Sequence, residues 1–461
     1  MTVAVTLDRN VTRPLREQIA EQVGAAVDDG LFPHGVRMPS TRTLAAALGV
    51  SRGVTAEAYD LLAQRGYLHS LRGSGTYVAA ATGAGAASRL PREPRAAEVD
   101  LRPGQAAGEA FPLAAWRRAW RSASFRTPPT TAMPQLGLPE LRHAIAEHVQ
   151  RNHGVSLTGR EVVVAACRAH ALRAVLEALD ACGPRAAVEE PAPPTLWRAA
   201  ADGSGRPVAM TVDDRGACLD QVPGSCRAMV LSPGAHLPFG GVLSADRRAQ
   251  AAQWADRTGG TLIEIAGDRH PSPAAGQLPK LLSLTGPARS VLVGDFCEVL
   301  TPALQIGYAI VPSRLAAAVG RRIRDQAVAP PYVSQLAMAR LLSDGTVERL
   351  MHRLSLIDEQ RRRVMVAQAA AAAPLRPLIA GAAGTALLPL PGMDAGRIAA
   401  ALRDQGVRVS TLNPYHFSAA PVRSALVLGY GHLTEPALRR GLSTLARLLT
   451  PAMPTPARVS A

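Results

Sequence analysis

The sequence predicts a multidomain chain: a small N-terminal α+β unit of three helices and a hairpin, followed by a large α/β domain with a mostly parallel central sheet. Three observations carry this. Residues 1–79 place short amphipathic helices around a glycine turn and end in two strand-like runs. Residues 80–98 are rich in Ala, Gly, Pro and Arg and have no apolar periodicity, the composition of a linker. From 99 to 450, apolar runs of strand length alternate with helical stretches, and residues 451–461 read as a tail.

Within the first unit, Pro14 suits the first turn of a helix, and Leu15, Ile19, Val23 and Val27 follow at four-residue spacing as one apolar stripe. A second helix is predicted over 41–48, where Gly49 breaks it. Ser51 is a good N-cap for a third helix that turns Val54, Ala58, Leu61 and Leu62 inward. Tyr67 and Leu68, then Arg72-Gly73-Ser74-Gly75, then Thr76, Tyr77 and Val78 read as two strands around a glycine turn. Helix, glycine turn, helix and hairpin together form a winged helix-turn-helix, a DNA-reading layout. In the large domain, the runs 162–165, 228–231, 261–265 and 291–293 read as buried strands, and 141–149 and 247–258 as helices between them.

Composition narrows the function classes. A chain that is 47% hydrophobic and 19% charged can bury a large core. No stretch reaches the roughly 18 apolar residues of a membrane span. The N-terminus lacks the layout of a secretory signal. The five cysteines, 167, 182, 218, 226 and 297, are odd in number and show no metal-ligand spacing. A cytoplasmic protein with no membrane partner and no metal is expected. The net charge of +15 does not locate a nucleic-acid site by itself. Residues 1–80 hold eight arginines against seven acids, a net of +1, and the remaining +14 lies beyond them, with arginine clusters at 117–126, 321–324 and 361–363. One detail constrains the chemistry more sharply: Lys280 is the only lysine. It sits in Leu278-Pro279-Lys280-Leu281, which reads as a surface connection.

Residues 35–78 carry Pro-Ser-x-Arg at the entry to helix two, Leu-Gly-Val-Ser-Arg at the turn, Ala-Tyr-x-x-Leu in helix three, and Gly-Tyr-Leu then Gly-Ser-Gly-Thr in the wing. This segment resembles the winged helix of GntR-type regulators. The resemblance implies double-stranded operator DNA as partner. Arg52, in the first turn of the third helix, is then the base reader, because its fork matches guanine O6 and N7. Arg42 is expected on a phosphate, and Arg72 with Gly73 at the wing tip on the minor groove or the backbone beside it. Ser51 and Thr55 are placed on the same reading side, Thr55 being equally well a filler of the helix surface. Family members often carry a polar residue where this chain has Gly53.

Beyond the linker, Leu101-Arg102-Pro103-Gly104, Phe111-Pro112, Trp116 and Gly137-Leu138-Pro139-Glu140-Leu141-Arg142, then Ser232-Pro233 with Pro238 and Gly240, and finally Leu428-Gly429-Tyr430, resemble MocR-type regulators. In these a winged helix is fused to a fold-type I aminotransferase-like domain with a smaller C-terminal α+β lobe. The resemblance implies a homodimer through the large domain and pyridoxal phosphate as family cofactor. The residues that would hold that cofactor are altered. In the stretch 294–308, Gly294, Phe296, Leu300, Pro302, Ala303, Leu304, Gly307 and Tyr308 fix a register that puts Glu298 where the Schiff-base lysine belongs. A carboxylate has no amine for that linkage. Cys297 replaces a serine, and Gln305 replaces an arginine expected on the phosphate. Ile265 stands for the aspartate that protonates the pyridine nitrogen, and Gly267 for a tyrosine. The phosphate-cradling turn reads Ala166-Cys167-Arg168-Ala169.

No catalytic residue and no cofactor are therefore expected, pyridoxal phosphate being lost or at most weakly and non-covalently bound. Glu298 and Arg168 are expected to pair with each other or to share a zwitterionic ligand. The pocket is either open to an unidentified small-molecule effector or collapsed around Ile265. The contrasting class is a pyridoxal-phosphate-dependent enzyme or vitamin B6-sensing regulator, which requires a lysine at 298.

Overall fold

A computed structural model describes residues 5, 7–8, 13–28, 32, 35–71, 75–79, 99–179, 185–234, 236–267, 278–376, 378–380, 384–420 and 422–450. The linker 80–98, the tail 451–461 and the wing-tip residues Arg72 and Gly73 lie outside the described residues. The chain divides into two compact units, Met1–Ala97 and Glu98–Ala461.

The first unit contains α1 (Leu15–Asp28), α2 (Thr41–Leu48), α3 (Arg52–Gln64) and the antiparallel hairpin β1 (Leu68–Leu71) and β2 (Gly75–Val78). Ser40 and Ser51 cap the second and third helices through their side chains, and Gly49, at φ 62°, closes α2 in the left-handed conformation that glycine adopts without strain. The core gathers Ile19, Val23, Leu44, Ala58, Leu62 and Val78. On α3 the buried stripe is Thr55, Ala58, Tyr59 and Leu62, with Val54 and Leu61 only half-buried, so the helix is turned from the expected setting.

The second unit begins with β3 (Val99–Asp100), α4 (Leu113–Ser124), α5 (Pro139–His153), β4 (Arg160–Ala165), α6 (Arg168–Leu179), β5 (Arg185–Glu190) and α7 (Pro194–Ser204). It continues through β6 (Val208–Asp213), β7 (Gly216–Ala217), β8 (Cys226–Leu231), α8 (Ala245–Thr258), β9 (Thr261–Ile265), α9 (Leu281–Leu284), β10 (Ser290–Asp295), β11 (Gly307–Pro312) and α10 (Ser313–Asp325). Then follow α11 (Tyr332–Ser343), α12 (Thr346–Ala371), β12 (Ile379–Ala380), β13 (Thr385–Pro389), α13 (Ala395–Asp404), β14 (Val407–Arg408), β15 (Ser410–Thr411), β16 (Ala425–Gly429) and α14 (Glu435–Leu449).

The large sheet runs β4-β11-β10-β9-β8-β5-β6-β7. Its centre is parallel from β10 through β9, β8 and β5 to β6, while β11 lies antiparallel to both neighbours and β7 antiparallel to β6. Alternate residues feed opposite faces, as strand pleating requires. Val162 and Val164 of β4 and Leu292 of β10 join Leu141, Ile145 and Leu341 on one side. Val163, Val291 and Val293 join Leu172, Val175 and Val319 on the other. A second, antiparallel sheet of order β12-β13-β16-β15 packs with α12 and α14 over Leu388, Leu426, Leu428, Leu442 and Leu445, forming the smaller lobe. Among the described residues no helix is long and apolar enough to cross a membrane.

Lys280 corrects one expectation. It is half-buried rather than a surface residue, and its Nζ lies 3.4 Å from Oε1 of Glu264, a buried carboxylate on β9. The lysine supplies the counter-charge that a buried acid needs.

Candidate functional site

Two sets of residues have the chemistry of sites, one in each unit. In the first unit, Arg52 opens α3 and Arg42 lies in the first turn of α2, and both are exposed. Ser51 is exposed too, and its hydroxyl accepts Val54 N at 3.4 Å, so in the structure it caps the start of α3. Thr55 is a correction. It is 0% exposed, and its Oγ1 donates to the carbonyls of Thr41 at 2.9 Å and Arg52 at 3.0 Å. A hydroxyl spent on tying α3 to the start of α2 cannot meet a base edge. Tyr59 Oη donates to Pro39 O at 2.8 Å and reinforces the same join, its phenol pushed up to about 12 by burial. Arg37 was not anticipated: it bridges to Tyr77 on β2, and its guanidinium lies so close to Gly75 that a Cβ there would sit 2.8 Å from Nε. An exposed arginine against the wing strand is a second candidate backbone contact.

In the second unit the chemistry collects at the carboxyl ends of β4, β8, β9 and β10, where open α/β sheets place their ligands. A cavity of about 400 Å³ opens there. Its floor is Arg168, Ile265, Ala266, Gly267, Cys297 and Glu298; Pro193, Pro194 and Leu196 at the start of α7 form one wall, and Ser232, Leu237 and Pro238 another. Thr385, Tyr415 and Val427 come from the smaller lobe. Among the described residues the lining encloses an open space and is not collapsed around Ile265.

The polar network on the floor is compact. Arg168 Nη2 donates to Glu298 Oε1 at 3.0 Å, the direct pairing that was one of the two arrangements open from the sequence, and Nη1 donates to Ala266 O at 3.4 Å. Asp295, the last residue of β10, is the member that sequence reasoning missed. Its Oδ2 accepts Arg168 N at 3.2 Å and lies 3.6 Å from Arg168 Nε, while its Oδ1 accepts Cys297 N at 3.2 Å. A carboxylate followed two residues later by a turn is the only sequence signal for it. Since Arg168 is the first residue of α6, Asp295 sits as an anion on that helix N-terminus. Gly307 permits the arrangement: a Cβ there would lie 2.6 Å from the Cys167 carbonyl carbon and 2.9 Å from Arg168 N.

Burial keeps a thiol and a phenol of the lining protonated. Burial, followed by the neighbouring charges of Asp295 and Cys167, pushes the Cys297 thiol up to about 12. Burial and then the charge of Glu298 hold the Tyr415 phenol at about 12. Behind the wall, Glu189 is fully enclosed and pushed up to about 7, though it accepts Ser232 N at 2.8 Å. Gln305 does not join the site. The 3-10 turn Pro302–Leu304 ends in Gln305 at φ 50°, and its side chain is exposed and outside the cavity lining.

Comparison with known proteins agrees with both halves. Residues 15–78 match the family described as bacterial regulatory proteins, gntR family. Over nearly the whole length the chain is similar to the HTH-type pyridoxine biosynthesis transcriptional regulator PdxR of Corynebacterium glutamicum, with 30% identity covering 96% of this chain and 97% of that protein. It is also similar to the probable rhizopine catabolism regulatory protein MocR of Rhizobium meliloti, with 28% identity over 96% of this chain and 95% of that one. Among solved structures, a multiple substrate aminotransferase from Thermococcus profundus superposes with a TM-score of 0.68 at 16% identity, covering 77% of this chain and 91% of that one, a likeness of fold alone. The chain thus belongs to the MocR-type regulators of the gntR family, DNA-binding transcription regulators that join a winged helix to an aminotransferase-like domain.

Proposed function

We propose that this regulator binds operator DNA as a homodimer and uses its aminotransferase-like domain as a cytoplasmic small-molecule sensor without pyridoxal phosphate and without transaminase chemistry. The observation that carries this reading is the salt bridge from Arg168 to Glu298, at the position of the family's Schiff-base lysine, on the floor of an open cavity. The residues present do not fit pyridoxal phosphate. Its phosphate needs donors, and both the α6 N-terminus and the Arg168 guanidinium are engaged by Asp295 and Glu298. Its ring nitrogen needs a carboxylate at the end of β9, where Ile265 stands. The one lysine, Lys280, is held by Glu264.

The test is titration of the purified full-length protein with pyridoxal phosphate, followed by visible absorbance, borohydride reduction and peptide mapping. No stable label is expected in the wild type. Glu298→Lys alone is expected to fail as well, because each missing charged hydrogen bond is worth on the order of 1.5 to 3 kcal/mol and several are missing together. Stoichiometric labelling at Lys280, or at position 298 of the variant, would favour the vitamin B6-dependent reading instead. Light scattering tests the dimer, with an expected mass of twice 48.3 kDa.

A further inference from the structure

A cavity with mostly apolar walls selects its ligand through its few charged groups. Among the described residues lining this one, Arg168 is the only cation. Its guanidinium faces Glu298 Oε1 at 3.0 Å and Asp295 Oδ2 at 3.6 Å. Among the described residues, Glu298 on the floor and Asp295 beneath it set two carboxylates against this one guanidinium, a formal charge of −1 for the cluster. The start of α6, where a helix dipole would draw a phosphate or carboxylate, already has Arg168 N on Asp295 Oδ2 at 3.2 Å. An entering anion would have to displace fixed internal acceptors and then sit beside them. A cation meets the reverse situation. Oε1 of Glu298 is shared with Arg168, and Oε2 has no hydrogen-bond partner among the described residues. The aromatic Tyr415 lines the same space, close enough for the charge of Glu298 to act on its phenol. Leu196, Leu237, Ile265 and Val427 offer only hydrocarbon to the rest of a ligand.

We propose that this cavity binds a small organic ammonium ion with an apolar body, held by Glu298, and that the ligand carries no phosphate or carboxylate. The proposal rests on the reading of the domain as a sensor and supplies the ligand class. Its polarity is opposite to that of a site for a phosphorylated cofactor, and the inversion is carried by two residues, Asp295 and Glu298.

Calorimetry on the full-length protein tests it with matched probes: 2-phenylethylamine, benzylamine and cyclohexylamine against 2-phenylethanol, 3-phenylpropionate and inorganic phosphate. At least one amine is expected to bind about tenfold or more tightly than the neutral alcohol, with no measurable binding of either anion. Glu298→Gln is expected to abolish the preference for amine over alcohol. The wild-type comparison stands by itself should that variant fold poorly. The proposal is overturned if an anion binds as tightly as the amines, if no amine binds at millimolar concentration, or if a folded Glu298→Gln protein keeps the preference. Operator affinity, measured on a duplex selected from random sequence by the full-length chain, separates the two levels. An amine that binds and leaves operator affinity unchanged would refute sensing and keep the site. An anion that binds and shifts it would keep sensing and refute the charge assignment.

Discussion

Arg52 and Arg168 each occupy the first residue of a helix, and their surroundings could hardly differ more. Arg52 is exposed, with no carboxylate in salt-bridge range among the described residues, so the positive end of α3 and the guanidinium both face outward. Arg168 is tied to Glu298 and Asp295, and the N–H at the start of α6 is capped by the same aspartate. The local element is the same: a cation added to a helix N-terminus, the ingredients of an anion site. One unit leaves it open for a polyanion, and the other neutralises it from within. Whether a helix start binds an anion is decided by the acids around it and not by the helix.

The largest effect should come from removing those acids. Asp295→Asn combined with Glu298→Gln frees two charge-assisted donors worth about 1.5 to 3 kcal/mol each, so affinity for inorganic phosphate should rise by at least on the order of 100-fold. Wild type binding phosphate as tightly as the double variant would break the comparison. On the other side, Arg52→Ala should remove about 1 to 3 kcal/mol of discrimination between operator and scrambled duplex, whereas Arg42→Ala should weaken both alike and flatten the salt slope by about one unit. Equal, sequence-independent losses would make Arg52 a phosphate contact only. A comparable effect, on stability, concerns Glu189. Its carboxyl is raised to about 7 when folded, so the native state holds the proton more tightly than the unfolded chain. Stability from this group is present at low pH and is lost as pH climbs from the ordinary carboxyl value through about 7, by on the order of 3 kcal/mol. Glu189→Gln should therefore gain stability relative to wild type across that window, seen as a difference in urea midpoint, and a gap constant with pH would refute the assignment. The smallest effect is expected for Thr55→Val, about 1 kcal/mol of stability from the lost hydroxyl bonds, with little change in operator preference.

Most of the fold was legible because patterning and motif order agree over nearly the whole chain. The strand runs at 162–165, 228–231, 261–265 and 291–293 all lie within observed strands, and α2 falls on the predicted residues. The place of Glu298 in the site was legible because Gly294, Phe296, Pro302 and Gly307 fixed a register, whereas its direct pairing with Arg168 was one of two arrangements the sequence left open. Thr55 was misplaced for a physical reason. A threonine reads as polar, yet residues 55, 58, 59 and 62 have the i, i+3, i+4, i+7 spacing of a buried stripe, and the hydroxyl is satisfied by backbone carbonyls. The contributions of Thr385, Tyr415 and Val427 were beyond reach, since they depend on how a second sheet closes over the first across more than a hundred residues of chain.

Gly307 and the cavity floor also differ in what change they tolerate. Residues 267 and 298 border open space and lie outside the buried core, so their side chains can vary without disturbing the packed sheet beneath. At Gly307 the nearest atoms are the backbone of the neighbouring turn, so even one added methyl would force α6 and β11 apart. A chamber with free walls in a rigid frame can exchange one ligand for another by point substitution while the fold stays as it is. In such a protein, ligand preference can drift quickly during evolution although the architecture barely moves.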